Sequence, residues 1–282
     1  MTTVVFAGFG KLGYRCISTI HKLNIKILFV LTHKDLSSES VDRFCQENKI
    51  NFSYSDLRKD KNLQLDLYQT SAKYLISINY RYILPRQYLE KFEYPLNIHG
   101  SLLPKYRGRT PHVWAIINGE NKTGITCHLM EESVDTGPII HQIEIVIGAY
   151  DTGADLLSKF EKLYPDCLLV SIEKLENGFL PIIQNDFAAT YFGKRIPEMG
   201  CLDFSKSAKS LVDFIRALAK PYPGAFCYLG NGTRITVNKA EIIQAPNVEL
   251  VDTGMIIESD GCYIVRVSDG FLRFIDFEIN GN

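Results

Sequence analysis

The first third of the chain alternates short unbroken apolar runs with segments of helical spacing. Residues 3–8 (TVVFAG), 25–31 (IKILFVL) and 73–78 (KYLISI) read as strands buried on both faces. Between them, apolar positions recur at helical spacing from Gly10 to about Leu23, over 38–49 and in a short stretch at 86–92. Strand–helix alternation of this kind predicts an α/β fold, a Rossmann-like, mostly parallel sheet with helices on both faces.

Beyond Pro111 the pattern changes. VWAIINGE reads as a helix closing near Gly119, and TGITCHLM and PIIHQIEIVI alternate as strands. Residues 152–176 carry Leu156, Phe160, Leu163, Tyr164, Cys167, Leu168, Ile172 and Leu175 on one helical stripe, with Asp151 or Thr152 as the cap. Near 185 the texture turns polar, aromatic and Gly/Pro-punctuated. A further helix is predicted over 205–219, then short strands at 234–238, 255–258, 262–267 and 271–278. The expected organisation is an α/β domain over 1–187, a connector over 188–204, and a small β-rich, OB-like domain over 205–282.

Charge and cysteine usage narrow the function classes. The 282 residues hold 31 basic and 32 acidic side chains. Without a basic excess or stripe, a nucleic-acid partner is not expected. Seven cysteines occur in no CxxC pair, which speaks against a disulfide framework or zinc site and for a reduced, cytoplasmic setting. The chain opens directly on a strand, so no signal peptide is expected. No apolar run reaches the roughly 18–20 residues of a membrane span.

GFGKLG at 8–13 matches a dinucleotide-binding fingerprint between strand and helix. The acid expected about 20 residues on, at the end of the second strand, is absent, because Asp35 falls late, after Thr32 and His33. An NAD-dependent oxidoreductase is therefore the weaker reading. The alternative is a tight turn beside some other anionic ligand. Asn97 and His99 lie two apart at the end of PLNIH, so on one face of a strand. Asp135 follows in SVDTGP. Ser101 allows a Ser-His-Asp arrangement but lacks a nucleophile elbow. KYRGRTP (105–111) offers Arg107 as a bidentate anion clamp or as part of a solvated loop. His112, His128 and His141 lack metal-ligand spacing, and His128 reads as a strand residue.

NIHGSLLPKYRGRTPHVWAIINGE followed by TGITCHLMEESVDTGPII resembles the 10-formyltetrahydrofolate-dependent formyltransferases. The shared pattern is Asn-x-His, an SLLP turn, and an Asp 36 residues after the His. FAGFGKLGYRC, SINYRYILP and NDFAATYFGKRIPEMGCLDFSKSA…IRALAKPYPGAF extend the likeness, over roughly 3–240, towards sugar-nucleotide N-formyltransferases. The resemblance implies catalysis by Asn97, His99 and Asp135. It implies N10-formyltetrahydrofolate as co-substrate, met by Tyr82, Ile83, Leu84, Ser101 and Asp135, with neither metal nor NAD. A UDP- or dTDP-linked amino sugar would meet Gly10, Lys11, Arg107, Lys194 and Arg195. A homodimer is in keeping with the family, and no nucleic-acid or membrane partner is expected. Methionyl-tRNA formyltransferase is the nearest rival, opposed by the neutral charge and short tail. A binding module without activity is opposed by the intact trio.

Overall fold

The computed structural model describes residues 2–35, 37–245 and 252–280. In order the elements are β1 (Thr3–Gly8), α1 (Gly10–Lys22), β2 (Lys26–Leu31), α2 (Val41–Glu47), β3 (Phe52–Ser53), α3 (Lys61–Tyr68), β4 (Tyr74–Ile78), α4 (Arg86–Leu89), β5 (Tyr94–His99), β6 (Arg107–Gly108), α5 (Pro111–Ile117), β7 (Lys122–Leu129), β8 (Ile139–Val146) and α6 (Gly153–Glu176). They continue with β9 (Tyr191–Phe192), α7 (Ala208–Leu218), β10 (Ala225–Tyr228), β11 (Arg234–Ile243), β12 (Ile256–Ser259), β13 (Cys262–Val267) and β14 (Gly270–Asn280). Two compact units result, neither continuous in sequence. One comprises Met1–Gly108, Gly124–Ile145 and Lys159–Tyr191, and the other Arg109–Thr123, Val146–Ser158 and Phe192–Asn282.

The first unit is organised by a seven-stranded sheet of order β3-β2-β1-β4-β5-β7-β8. β1 lies between β2 and β4, parallel to both. Val4, Val5, Phe6 and Ala7 are all fully buried, so this strand reads as an unbroken apolar run. β4 and β5 continue the parallel order, and β7 then joins β5 antiparallel. The sheet is thus mixed, parallel over its first five strands. Gly13 is required where α1 packs back, because a Cβ there would lie 2.9 Å from Val41 Cγ2 and 3.2 Å from the Gly8 carbonyl carbon. A core of Val5, Ala7, Leu31, Leu75, Tyr88 and Phe92 also takes in Leu57, Leu63 and Leu67 from α3 and the loop before it.

The second unit is built on a five-stranded sheet of order β10-β11-β14-β13-β12, antiparallel throughout. β12 and β13 join through Asp260 and Gly261, both at positive φ (51° and 75°), the two-residue hairpin turn that Asp-Gly favours. α7 begins at Ser207, whose side chain accepts from the Ser210 amide. On the buried face of α7, Arg216 donates to Asp213 Oδ1 at 2.8 Å and to the Asp151 and Gly148 carbonyls. Among the described residues, no helix is long and apolar enough to cross a membrane.

Candidate active site

Asn97 and His99 share one face of β5, and the ladder fixes what they meet. Asn97 is registered with Ser77 of β4 on one side and His128 of β7 on the other, and His99 with Thr126. The Leu129 amide bonds the Pro138 carbonyl at 2.9 Å, drawing the loop between β7 and β8 into a tight turn. Gly137 belongs to that turn, and a Cβ there would lie 2.0 Å from the Leu129 carbonyl oxygen. Asp135 sits in it at φ +60°, a left-handed conformation uncommon outside glycine and held only by firm surroundings.

The turn brings Asp135 to both histidines. Its Oδ2 lies 3.3 Å from His99 Nδ1, and its Oδ1 3.6 Å from His128 Nε2. The Gly108 amide donates to Oδ2 at 2.9 Å. Asn97 Nδ2 is 3.1 Å from His128 Nε2, while His128 Nδ1 is 2.7 Å from the Leu129 carbonyl. A carbonyl oxygen only accepts, so the hydrogen-bond network places the His128 proton on Nδ1 and leaves Nε2 to accept from Asn97. This turns the amide nitrogen of Asn97 inward and leaves its second N–H for another acceptor.

His99 Nε2 lies 2.7 Å from the Tyr106 carbonyl, so by the same argument that nitrogen carries a proton. Burial pushes the His99 imidazolium below its ordinary range, by more than Asp135 and the Tyr106 carbonyl raise it. Burial alone would raise the Asp135 carboxyl. The His99 and His128 rings and the Gly108 N–H outweigh it and hold the carboxyl at about 2. At neutral pH the arrangement is an ionised carboxylate against a neutral imidazole. The free Nδ1 lone pair of His99 faces that carboxylate. A second proton on the ring would turn the contact into a charge-assisted hydrogen bond. Such a pair takes up a proton, and the neighbouring amide is a donor to developing negative charge.

Residues 5–172 match the family described as formyl transferase, and residues 195–282 its C-terminal domain. The chain belongs to the formyl transferase family. It is 37% identical over 241 residues to the bifunctional polymyxin resistance protein ArnA of Wigglesworthia glossinidia brevipalpis, a match covering 81% of this chain and 36% of the relative. The chain thus spans little more than a third of that relative's length. Its fold is that of an N-formyltransferase from Helicobacter canadensis solved with folinic acid and dTDP-3-aminofucose (TM-score 0.74, 21% identity, 99% of this chain and 100% of the other). It is equally that of WlaRD, a sugar 3N-formyl transferase solved with dTDP and 5-N-formyl-THF (TM-score 0.74, 22% identity, 100% and 99%).

In this formyl transferase the other residues singled out from sequence take varied places. Ser101 is fully buried, donating its hydroxyl to the Lys105 carbonyl at 2.6 Å while its own carbonyl accepts from Thr126 Oγ1. It holds the turn after β5. Arg107, expected as an open cation for a diphosphate, is only 1% exposed. Its guanidinium is taken up by Gln184, Asp186 and Tyr191. Leu84 points into the core, Ile83 outward, and the half-buried Tyr82 ring meets His33 edge-on at 4.5 Å. Gly10 opens α1 at φ +63°, and Lys11 pairs with Glu161 at 2.9 Å and Glu39 at 3.5 Å. Lys194 and Arg195 belong to the second unit. There the Arg195 guanidinium lies 4.7 Å from the Trp114 ring and 5.2 Å from that of Phe214.

Two residues of the cluster escaped the sequence reading. His128 looked like an ordinary strand position, because its role depends on the β5–β7 register. Gln184 lay at the edge of the polar, Gly/Pro-punctuated texture near 185, where no element was expected. Its buried amide reaches the backbone of the Asp135 turn. For His128 the available signal was a histidine in the strand just before SVDTGP.

Proposed function

We propose that this chain transfers the formyl group of N10-formyltetrahydrofolate to the amine of a nucleotide-linked amino sugar. The observation that carries the reading is the convergence of the Asn97 amide, the His99 ring and the Asp135 carboxylate within one cluster. The amine attacks the formyl carbon. Asn97 Nδ2–H donates to the oxyanion that forms, and the His99–Asp135 pair accepts the amine proton. Collapse of the tetrahedral intermediate breaks the formyl C–N10 bond as that proton passes to N10 of the departing tetrahydrofolate. A preorganised donor of this kind contributes roughly 3–4 kcal/mol to lowering the barrier. No side chain in the cluster is placed as a nucleophile, since Ser101 is tied to Lys105. Transfer is therefore direct, without an acyl-enzyme.

The sugar-nucleotide substrate draws support from the ligands with which the two related structures were solved, a dTDP-amino sugar and dTDP with formylated folates. UDP- and dTDP-linked amino sugars are both candidates, and by the resemblance the product serves a surface glycan such as a lipopolysaccharide O-antigen. In this reading the chemistry belongs to residues 1–187, followed by a connector over 188–204 and the β-rich part over 205–282. Seven free cysteines suit a reduced cytoplasm, and the working form is a homodimer.

The reading is tested by incubating the protein with N10-formyltetrahydrofolate and a panel of UDP- and dTDP-linked amino sugars, with methionyl-tRNA in parallel. Mass spectrometry of the sugars is expected to show one formyl group gained on an amine. Formylation of methionyl-tRNA alone would overturn the substrate. A formyl adduct on Ser101 or a cysteine in the intact protein would overturn direct transfer.

A further inference from the structure

Gln184 lies outside any regular element, yet it is 7% exposed and its amide is bonded on both sides. Nε2 donates to the Asp135 carbonyl at 2.9 Å and to the Gly137 carbonyl at 2.7 Å. Oε1 accepts from Arg107 Nε at 3.2 Å and Nη2 at 2.8 Å. Both hydrogens and both lone pairs of the amide are used, which fixes its orientation. Arg107 is itself pinned. Its Nη2 also reaches Asp186 Oδ1 at 2.7 Å, its Nη1 the Tyr191 hydroxyl, and its backbone amide the Thr190 carbonyl at 2.8 Å. The next residue along, Gly108, supplies the N–H that holds Asp135 Oδ2.

Asp135 is therefore gripped at both ends from one anchor. Gln184 holds its backbone carbonyl, and the segment carrying Arg107 holds its carboxylate. We propose that Gln184, braced by Arg107, is a positioning residue for the reaction, locking Asp135 in its left-handed conformation with Oδ2 toward His99. The cations of KYRGRTP read from sequence as a ligand clamp thus include one that acts inward. A left-handed aspartate in a tight turn persists only when its surroundings over-determine it. Charge-assisted bonds from Arg107 fix the Gln184 amide, whose N–H in turn holds the Asp135 carbonyl, and that does so. The inference rests on the assignment of Asp135 to formyl transfer.

Two variants test it. Gln184→Met keeps size and burial but removes every bond. Gln184→Glu keeps an acceptor for Arg107, as a salt bridge, and removes the donors to the Asp135 and Gly137 carbonyls. Both are expected to lower kcat about 10-fold or more, the scale of losing a positioned group, with KM for donor and amine nearly unchanged. In the ligand-free protein, exchange of the Gly108 amide hydrogen is expected to rise by a similar factor, while that of Leu75 in β4 stays constant. Gln184→Glu retains the Arg107 anchor, so its Tm is expected to exceed that of Gln184→Met. Lowered Tm with wild-type kcat, or Gly108 exchange unchanged in both variants, would make Gln184 merely structural and overturn the proposal. Asp135→Asn is the control. If it keeps wild-type kcat, the functional reading fails instead, and Gly108 exchange still reports whether the strut holds the turn.

Discussion

At the scale of single residues, the chemistry depends on which atoms are free. Asn97 has one N–H committed to His128 and a second available. Asn97→Ala is expected to lower kcat by about 10²–10³-fold, the loss seen when one oxyanion donor is removed, with little change in Tm. His128→Phe keeps the ring but frees the Asn97 amide to rotate. A loss of about 10-fold in kcat is expected, and wild-type kcat would show that Asn97 needs no partner. The His99 ring is pushed below its ordinary value of 6.5 by burial. A base with a lowered pKa is lost only as pH falls through that lowered value. The acidic limb of kcat/KM is therefore expected to have its midpoint below pH 6.5; a midpoint above it would contradict the neutral-imidazole reading. Asn97, His99 and Asp135 were legible as a candidate site because residue type and spacing put them beside turns. His128 and Gln184 were not, because each acts across a pairing that no local pattern encodes: a β5–β7 register, and a contact 49 residues from Asp135.

At the scale of elements, strands buried on both faces and long amphipathic helices were readable, and short or edge pieces were not. β1, β4 and α6 follow directly from apolar runs and a helical stripe. β3, two residues long, and α3, with apolar positions only at Leu63, Leu65 and Leu67, carry too little periodicity to register. β11 extends to Ile243, beyond the predicted 238, because β14 pairs along its whole length. Two element-scale expectations follow. Ser207→Ala removes the bond to the Ser210 amide at the start of α7 and is expected to cost about 1 kcal/mol, measured by urea unfolding. Gly137→Ala forces a methyl group onto the Leu129 carbonyl. It is expected to open the Asp135 turn and abolish most activity, read as kcat in protein whose far-UV spectrum is unchanged.

At the scale of the whole molecule, the two compact units interleave in sequence, since residues 109–123 and 146–158 group with 192–282. Composition carries no trace of that interleaving, because contacts distant in sequence decide it. Acid stability is a property of this scale. His112 lies half-buried in the second unit, 2.7 Å from the Tyr222 hydroxyl, and desolvation lowers it from 6.5 to about 4. The unfolded chain binds that proton more readily, so stability falls as pH drops from 6.5 to about 4 and levels off below. The contribution lost is roughly 3 kcal/mol. Tm followed across that range is expected to fall less steeply in His112→Gln than in the wild type; equal slopes would contradict the assignment.

The central claim is that the Asn97–His99–Asp135 cluster transfers a formyl group directly to an amino sugar. Its most direct test is the rate of tetrahydrofolate release with N10-formyltetrahydrofolate and the preferred nucleotide-linked amino sugar, compared between the wild type and Asp135→Asn. The account predicts turnover in the wild type and a loss of at least about 100-fold in kcat in the variant, the scale of general acid–base catalysis, without a change in fold. Turnover by Asp135→Asn within a few-fold of the wild type would contradict it.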